Sequence, residues 1–287
     1  CLLECAPGWE PSQASLSCQD GSWDLAGTCD PIVLNVTENT VVDEYTAVGQ
    51  LSLASGVTLT LADGVTLSTG ELAMASGSVL GDASANVSIE VSNTASLSGD
   101  ASIVANNLNL SGGVWSLQDT ASISANVDAD LSSLVVCADC VITASAQGHA
   151  AMAGPGGAGS EGSYRSGSGA GYGGTGGRGY NSANEGGSPY GNALTPNMPG
   201  SGGGDGCAGA SSGGAGGGVL RLQVSGTFSL AGRLLAAGAN GTNCMTDPRS
   251  GGGGGSGGSI WLTAGTLETA PGHGIQAEGG HAGGTQY

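Results

Sequence analysis

From Gln50 onward the chain alternates apolar and small polar residues for nearly 100 positions. Leu51-Ser52-Leu53, Val57-Thr58-Leu59-Thr60-Leu61 and Val65-Thr66-Leu67 carry a period of two, the pattern of half-buried β-strands. No stretch sustains a 3.6-residue period with helix formers. Ser55-Gly56, Asp63-Gly64, Ser76-Gly77, Gly99-Asp100 and Gly112-Gly113 punctuate the strands as turns. The pattern predicts an all-β chain of short strands and tight turns.

The strands also repeat. Asp100-Ala-Ser-Ile-Val-Ala-Asn106 and Thr120-Ala-Ser-Ile-Ser-Ala-Asn126 are near-copies 20 residues apart, and Ser55-Gly-Val-Thr-Leu59 returns as Asp63-Gly-Val-Thr-Leu67. Imperfect repetition near 20 residues is what one coil of a parallel β-helix, or solenoid, requires. Further on, Gly217-Gly-Val-Leu-Arg-Leu-Gln-Val224 aligns with Gly257-Gly-Ser-Ile-Trp-Leu-Thr-Ala264, 40 residues later. Gly226-Thr-Phe228 then matches Gly265-Thr-Leu267, and Leu235-Ala-Ala237 matches Ile275-Gln-Ala277, with an earlier echo in Ile142-Thr-Ala144. The implied unit is a strand ending in Ile/Leu-X-Ala, a glycine-rich excursion, and a return strand opening with Gly-Gly. Excursions are expected over 148–218, over 238–258 and from Gly279.

Glycine distribution sharpens this reading. Of 58 glycines, residues 1–150 hold 13, residues 151–218 hold 27 and residues 219–287 hold 18. A collagen triple helix is excluded because glycine keeps a period of three only locally, as at Gly171, Gly174 and Gly177. Lengthening an excursion from about 20 to about 70 residues adds only about 1 kcal/mol of closure entropy. Ordering its glycines costs far more, so close backbone packing, disulfide clamping or burial against another subunit must offset it. We expect an ordered, packed insertion. Tyr164, Tyr172 and Tyr180 recur every eight residues there and could anchor a contact or be scattered on the surface.

Charge excludes several function classes. Twenty-three acidic residues against five arginines, with no lysine, give a net charge of −18. No basic patch exists to neutralise phosphates or to meet an anionic membrane. Apolar runs such as Leu134-Val135-Val136 are far shorter than the roughly 20 residues of a membrane span. Low charge with 39 % hydrophobic residues argues against wholesale disorder.

Eight cysteines, an even number, accompany four Asn-X-Ser/Thr sequons at Asn35, Asn86, Asn109 and Asn240. Together they predict a secreted, disulfide-bonded glycoprotein. The sequence starts at Cys1 rather than methionine, which is expected if a leader was removed or if residue 1 is an internal cut. Cys137-Ala-Asp-Cys140 has metal-knuckle and thioredoxin-like spacing, but its flanks are strand-like and no helix follows, so a bridged turn is expected. Cys207 and Cys244 would then pair and clamp two glycine-rich loops, although cross-pairing of these four remains open. Cys5, Gly8-Trp9, Cys18, Gly21-Ser22-Trp23 and Cys29 resemble part of a sushi (complement control protein) module. Cys1 lies only four positions before Cys5, where a full module would have some thirty residues, so the resemblance is to a shortened version. It implies pairs Cys1–Cys18 and Cys5–Cys29, which would supply most of the stability of so small a unit. The four cysteines lack a Cys-X2-Cys knuckle, which places disulfides ahead of metal.

Candidate chemistry is sparse. Solenoids include pectate lyases and polygalacturonases, which need Lys or Arg with Ca²⁺-binding carboxylates, or clustered aspartates. Asp128-Ala-Asp130 is the tightest aspartate pair in the repeats and is expected to be a solvated turn; Asp43-Glu44 reads similarly. His149, His273 and His281 sit beside glycines without a partner at ligand spacing. Gly202-Gly-Gly-Asp205-Gly lacks the order of a Ca²⁺-binding nonapeptide. Gly167-Ser-Gly lies in low complexity, outside any strand-to-helix elbow. Thr58-Leu-Thr60 is a single rung, too little for an ice-binding ladder. Neither a catalytic site, nor a metal, nor a cofactor is expected.

The expected organisation is a disulfide-rich module over 1–30, a β-solenoid over 31–147, a glycine-rich insertion over 148–218 and a solenoid continuation over 219–287. This architecture looks like large repetitive surface proteins of protists and some bacteria, with filament proteins such as those of flagellar hairs (mastigonemes) as the preferred comparison. That resemblance implies a secreted structural subunit that self-associates and carries N-linked glycans. The alternative is an adhesin or carbohydrate-binding surface protein, with a polysaccharide-active enzyme as the remote third.

Overall fold

The computed structural model describes residues 9–11, 15–19, 22–26, 29–159, 165–181, 185–246 and 249–284, with side chains described from Ile32 onward. The expected pairs Cys1–Cys18 and Cys5–Cys29 rest on side chains outside this set. Four short strands come first and pair antiparallel: β1 (Trp9–Pro11) with β4 (Cys29–Pro31), and β2 (Ser15–Gln19) with β3 (Ser22–Ala26). Every later strand pair among the described residues is parallel, and none of those residues forms an α-helix.

The parallel strands stack along three lines. The first takes β6 (Thr40–Val42), β8 (Thr58–Leu61), β15 (Val141–Thr143), β17 (Arg233–Leu235) and β19 (Gly274–Gln276). It also takes the opening residues of three longer strands, β10 (Val79–Leu97), β11 (Ser102–Ser111) and β13 (Ser122–Leu131). The second line begins with the opening residues of β7 (Thr46–Leu53) and β9 (Thr66–Met74). It continues through the later parts of β10, β11 and β13, then the opening halves of β16 (Val219–Leu230) and β18 (Ser259–Thr269). The third takes β5 (Val33–Val36), β12 (Val114–Leu117), β14 (Ser133–Val136) and the closing residues of β7, β9, β10, β16 and β18. A long strand such as β10 serves all three lines because its register breaks between Asp82 and Asn86 and again between Val91 and Thr94.

The near-copies lie where their likeness places them: Ser102 pairs with Ser122 and Ile103 with Ile123. The other short repeat behaves differently. Thr58 lies in the first line and Thr66 in the second, so a spacing of eight marks two adjoining sides, not stacked copies. Turn glycines Gly56, Gly64, Gly77, Gly99, Gly112 and Gly113 all adopt positive φ, which explains their punctuation of the pattern.

Alternate side chains point inward and form columns. One runs Leu51, Leu72, Ala95, Trp115, Leu134, Phe228 and Leu267, each paired with the next. Ala95 beneath Trp115 shows how small residues make room for the large ones, and the Trp115 indole donates to the Gly112 carbonyl at 3.1 Å. A second column runs Leu59, Leu80, Ile103, Ile123, Ile142, Leu234 and Ile275. The 40-residue alignment needs one correction here. Leu234, not Leu235, pairs with Ile275, so this segment is offset by 41 residues. The physical reason is the pleat: Leu234 is the buried member, and a one-residue slip would turn it outward.

Both long glycine-rich excursions leave the stack at one corner, between the first line and the second. β15 stops at Thr143 and β16 resumes at Val219; β17 stops at Leu235 and β18 resumes at Ser259. Apart from the isolated bridge Gly206–Ser211 and a short 3₁₀ turn at Cys207–Gly209, the described excursion residues form no strand, yet their backbones bond extensively. Residues 251–256 exchange bonds with five other segments: Gly167 and Ala170, Ser201 and Gly204, Gly214 and Gly217, Ala239 and Thr242, Gly280 and Gly283. A β-strand has only two lateral neighbours, so this is a bundle of extended chains packed on all sides. Its glycines are required by approach rather than by turning. A Cβ on Gly253 would come 2.0 Å from the Ser168 oxygen, and one on Gly254 would come 1.9 Å from the Gly280 oxygen.

Candidate functional site

The corner that releases the excursions is built by asparagines. Asn86 donates to Asp63 Oδ1 at 2.8 Å and accepts from Asn106 at 3.2 Å and from Asn107. One rung further, Asn126 Nδ2 donates to the carbonyls of Asn106 (3.1 Å) and Gln147 (3.0 Å), while its Oδ1 accepts the Val219 N–H at 2.8 Å. Gln147 opens the long excursion and Val219 closes it, so a single side chain fastens both roots.

Beside this corner the outer side chains of the second line form a polar column. Asn109 pairs with Asp128, Asp128 with Arg221 and Arg221 with Trp261, spanning about 14 Å at the usual strand spacing. Asp128 and Arg221 form an ion pair, and the guanidinium carbon lies 5.7 Å from the centre of the Trp261 ring. The expected solvated turn at Asp128-Ala-Asp130 is therefore a strand. Ser-Ile-Ser-Ala-Asn-Val-Asp-Ala-Asp-Leu keeps strict alternation, which buries Ala129 and sends both carboxylates outward.

The long excursion walls this column. Together they enclose a cleft of about 580 Å³, lined by the column together with Asn107, Asn126, Gln147 and His149 on one side and Asn197 and Pro199 on the other. The wall is fixed by tyrosines and serines. Tyr172 bonds Ser259, whose hydroxyl donates to the Met198 carbonyl at 2.6 Å. Tyr190 donates to the Pro199 carbonyl and accepts from Ser201 at 2.8 Å, and the two tyrosine rings meet edge-on at 4.8 Å. Burial raises the Tyr190 pKa above its ordinary value, with the Ser201 hydrogen bond opposing it. Of the three recurring tyrosines, Tyr172 packs against Tyr190, Tyr180 is exposed, and Tyr164 lies outside the described residues. On the cleft floor Gln147 donates to Ser124 at 3.2 Å, while its Oε1 is the sole buried side-chain polar atom without a partner among the described residues.

A second feature lies at the end of the stack. β18 pairs with β16 only and β19 with β17 only among the described residues. Columns buried from Leu51 to Phe228 and from Leu59 to Leu234 open here: Leu267 is 48 % exposed and Ile275 46 %, above a wholly buried Phe228 and Leu234.

The structure joins Cys137 to Cys140 across a turn between β14 and β15, and Cys207 to Cys244 between the two long excursions. Such bridges belong to an oxidising environment. All four sequon asparagines, Asn35, Asn86, Asn109 and Asn240, are exposed, and Asn109 stands at the mouth of the cleft. Of the histidines, His149 lines the cleft, His273 Nδ1 lies 2.8 Å from the Ala270 carbonyl, and His281 donates its backbone N–H to Asn240. Among the described residues no group of three or more His, Cys, Asp or Glu could hold a metal, and no helix is long and apolar enough to cross a membrane. Comparison of the chain with protein-family models, with curated proteins and with solved structures finds no match.

Proposed function

We propose that this chain is a secreted structural glycoprotein: a parallel β-solenoid, led by a shortened sushi-like module and widened by a glycine-rich bundle, that stacks into an extracellular filament or surface coat. The observation that carries the reading is the open end. β18 offers 11 residues of backbone with one lateral partner, and Leu267 and Ile275 stand uncovered in the continuation of closed apolar columns. An unpaired edge above an open core recruits another strand layer, whether a further coil of the same chain or a second copy. Covering each side chain is worth about 1.5–3 kcal/mol when complete. Stacking one chain on the next joins two different surfaces, a heterologous contact that produces an open filament when the rotation does not close. Glycans on the exposed sequons would keep the sides of such a filament hydrated and confine growth to the ends.

Sedimentation of the oxidised chain across a concentration series tests this. Concentration-dependent oligomers that dissociate in a Leu267→Lys, Ile275→Lys variant are expected. A strictly monodisperse monomer at high concentration, unaffected by that variant, overturns the reading.

A further inference from the structure

We propose that the cleft between the second strand line and the glycine-rich bundle is a binding site for a neutral saccharide. The cleft opens on the outer face of the strands, with Trp261 on β18, the last strand of the second line, and binding of a sugar there is a separate event from stacking at the β18 edge.

Four observations converge on it. The lining carries carboxamides with capacity left to donate and accept, on Asn107, Asn109 and Gln147, whereas Asn126 is committed to the excursion roots. Hydroxyl groups also donate and accept, and they are the chief polar groups of neutral sugars. Trp261 supplies an aromatic surface next to those amides, an apolar face with a polar edge, which suits the mixed apolar and hydroxylated faces of a pyranose ring. The two full charges in the column cancel, because Arg221 is spent on Asp128. With a net charge of −18 around it, the site has no spare cation to attract an anionic sugar. Finally, the site is pre-formed: residues 197–199 are held through Ser259 and Tyr190, and Asn126 pins the floor. Rigid walls lower the cost of binding. The unpartnered Gln147 Oε1 adds a polar atom on the floor with acceptor capacity left.

The sugar could come from a separate glycan or from a glycan on Asn109, which stands at the cleft mouth. Both present the same chemistry, and the experiment distinguishes them. The oxidised chain is made in a host without N-glycosylation and titrated with chitotriose, cellotriose and a trimer of galacturonic acid. Saturable binding of a neutral trimer is expected, weakened at least tenfold in Trp261→Ala, with the galacturonate trimer at least tenfold weaker than the neutral one. His149→Ala, at a lining residue outside the tryptophan's strand, provides the same readout should the tryptophan variant fail to fold, with circular dichroism checking both. The chain is then made in a glycosylating host. Unchanged binding identifies a separate glycan as the occupant; binding that appears only after Asn109→Gln identifies the chain's own. Either result supports the site. No saturable binding to any neutral trimer by the unglycosylated chain, or binding that survives both wall variants, overturns it, and so does preference for the galacturonate trimer.

Discussion

Asn126 accepts a hydrogen bond from the Val219 N–H at 2.8 Å across a sequence separation of 93 residues. Together with its bond to the Gln147 carbonyl, this makes one carboxamide the hinge pin of the whole insertion. Gly218, beside it, has no room for a side chain, because a Cβ would lie 2.0 Å from Asn126 Oδ1.

Asn126→Ala should therefore destabilise the protein by about 1–3 kcal/mol, the usual cost of stranding partly buried hydrogen-bonding groups. Urea unfolding measures the loss, and limited proteolysis should show cleavage moving to residues near 147 and 218. Asn86→Ala, which leaves both roots fastened, should not move the cleavage sites.

Two glycines that look alike in composition should behave oppositely. Gly253→Ala places a methyl group into the Ser168 carbonyl and should cost about 1–3 kcal/mol or more, with lost hydrogen-exchange protection throughout 251–256. Gly173 has nothing within 4 Å of a Cβ and no positive φ, so Gly173→Ala should be neutral or stabilise by up to about 1 kcal/mol. Equal effects from the two would refute all-round packing as the reason for glycine.

The bridges should differ in worth. Cys207–Cys244 closes a 37-residue separation and Cys137–Cys140 only three. Chain-entropy arguments give about 4 and about 2 kcal/mol respectively. Replacing each pair with serines and comparing unfolding midpoints tests the order, and the long bridge should carry the larger loss.

Acid should weaken the fold through its turns. The Ser76 hydroxyl donates to Asp100 at 2.6 Å and holds that carboxyl below its ordinary 3.8, and Ser84 does the same for Asp82. A depressed carboxyl contributes stability above its unfolded pKa, and that contribution is lost as pH falls through the folded one. Melting temperature should be flat between pH 5 and 7 and drop below about pH 4. Asp100→Asn should flatten part of that drop.

Much of the strand layout was legible because burial imposes a period of two, and each near-copy carries the same inward residues one rung higher. Ile103 over Ile123 is such a case. The slip at Leu234 shows the limit: repeats aligned by eye tolerate an offset that the pleat does not. The cleft was only partly legible: the 40-residue repeat sets Arg221 beside Trp261, but nothing local marks their column as one wall of a cleft. Asn109, Asp128, Arg221 and Trp261 are separated by up to 152 positions in sequence, and they become neighbours because the strands keep their register across two excursions. Tyr190 was missed because its partner is chosen by how the excursion folds back, which no local pattern records. One signal was available: asparagine follows Ser-Ala or Val-Ala at Asn86, Asn106 and Asn126, always at the same corner.

Both long excursions depart from that corner, and the strands on either side keep their register across gaps of 93 and 40 residues. Girth and length are thus written in separate parts of the sequence. Adding residues to an excursion thickens the molecule without altering its rise, whereas adding a strand triplet lengthens it without altering its width. A rod assembled from such chains could be made stouter on one flank by insertion alone, leaving its axial repeat untouched.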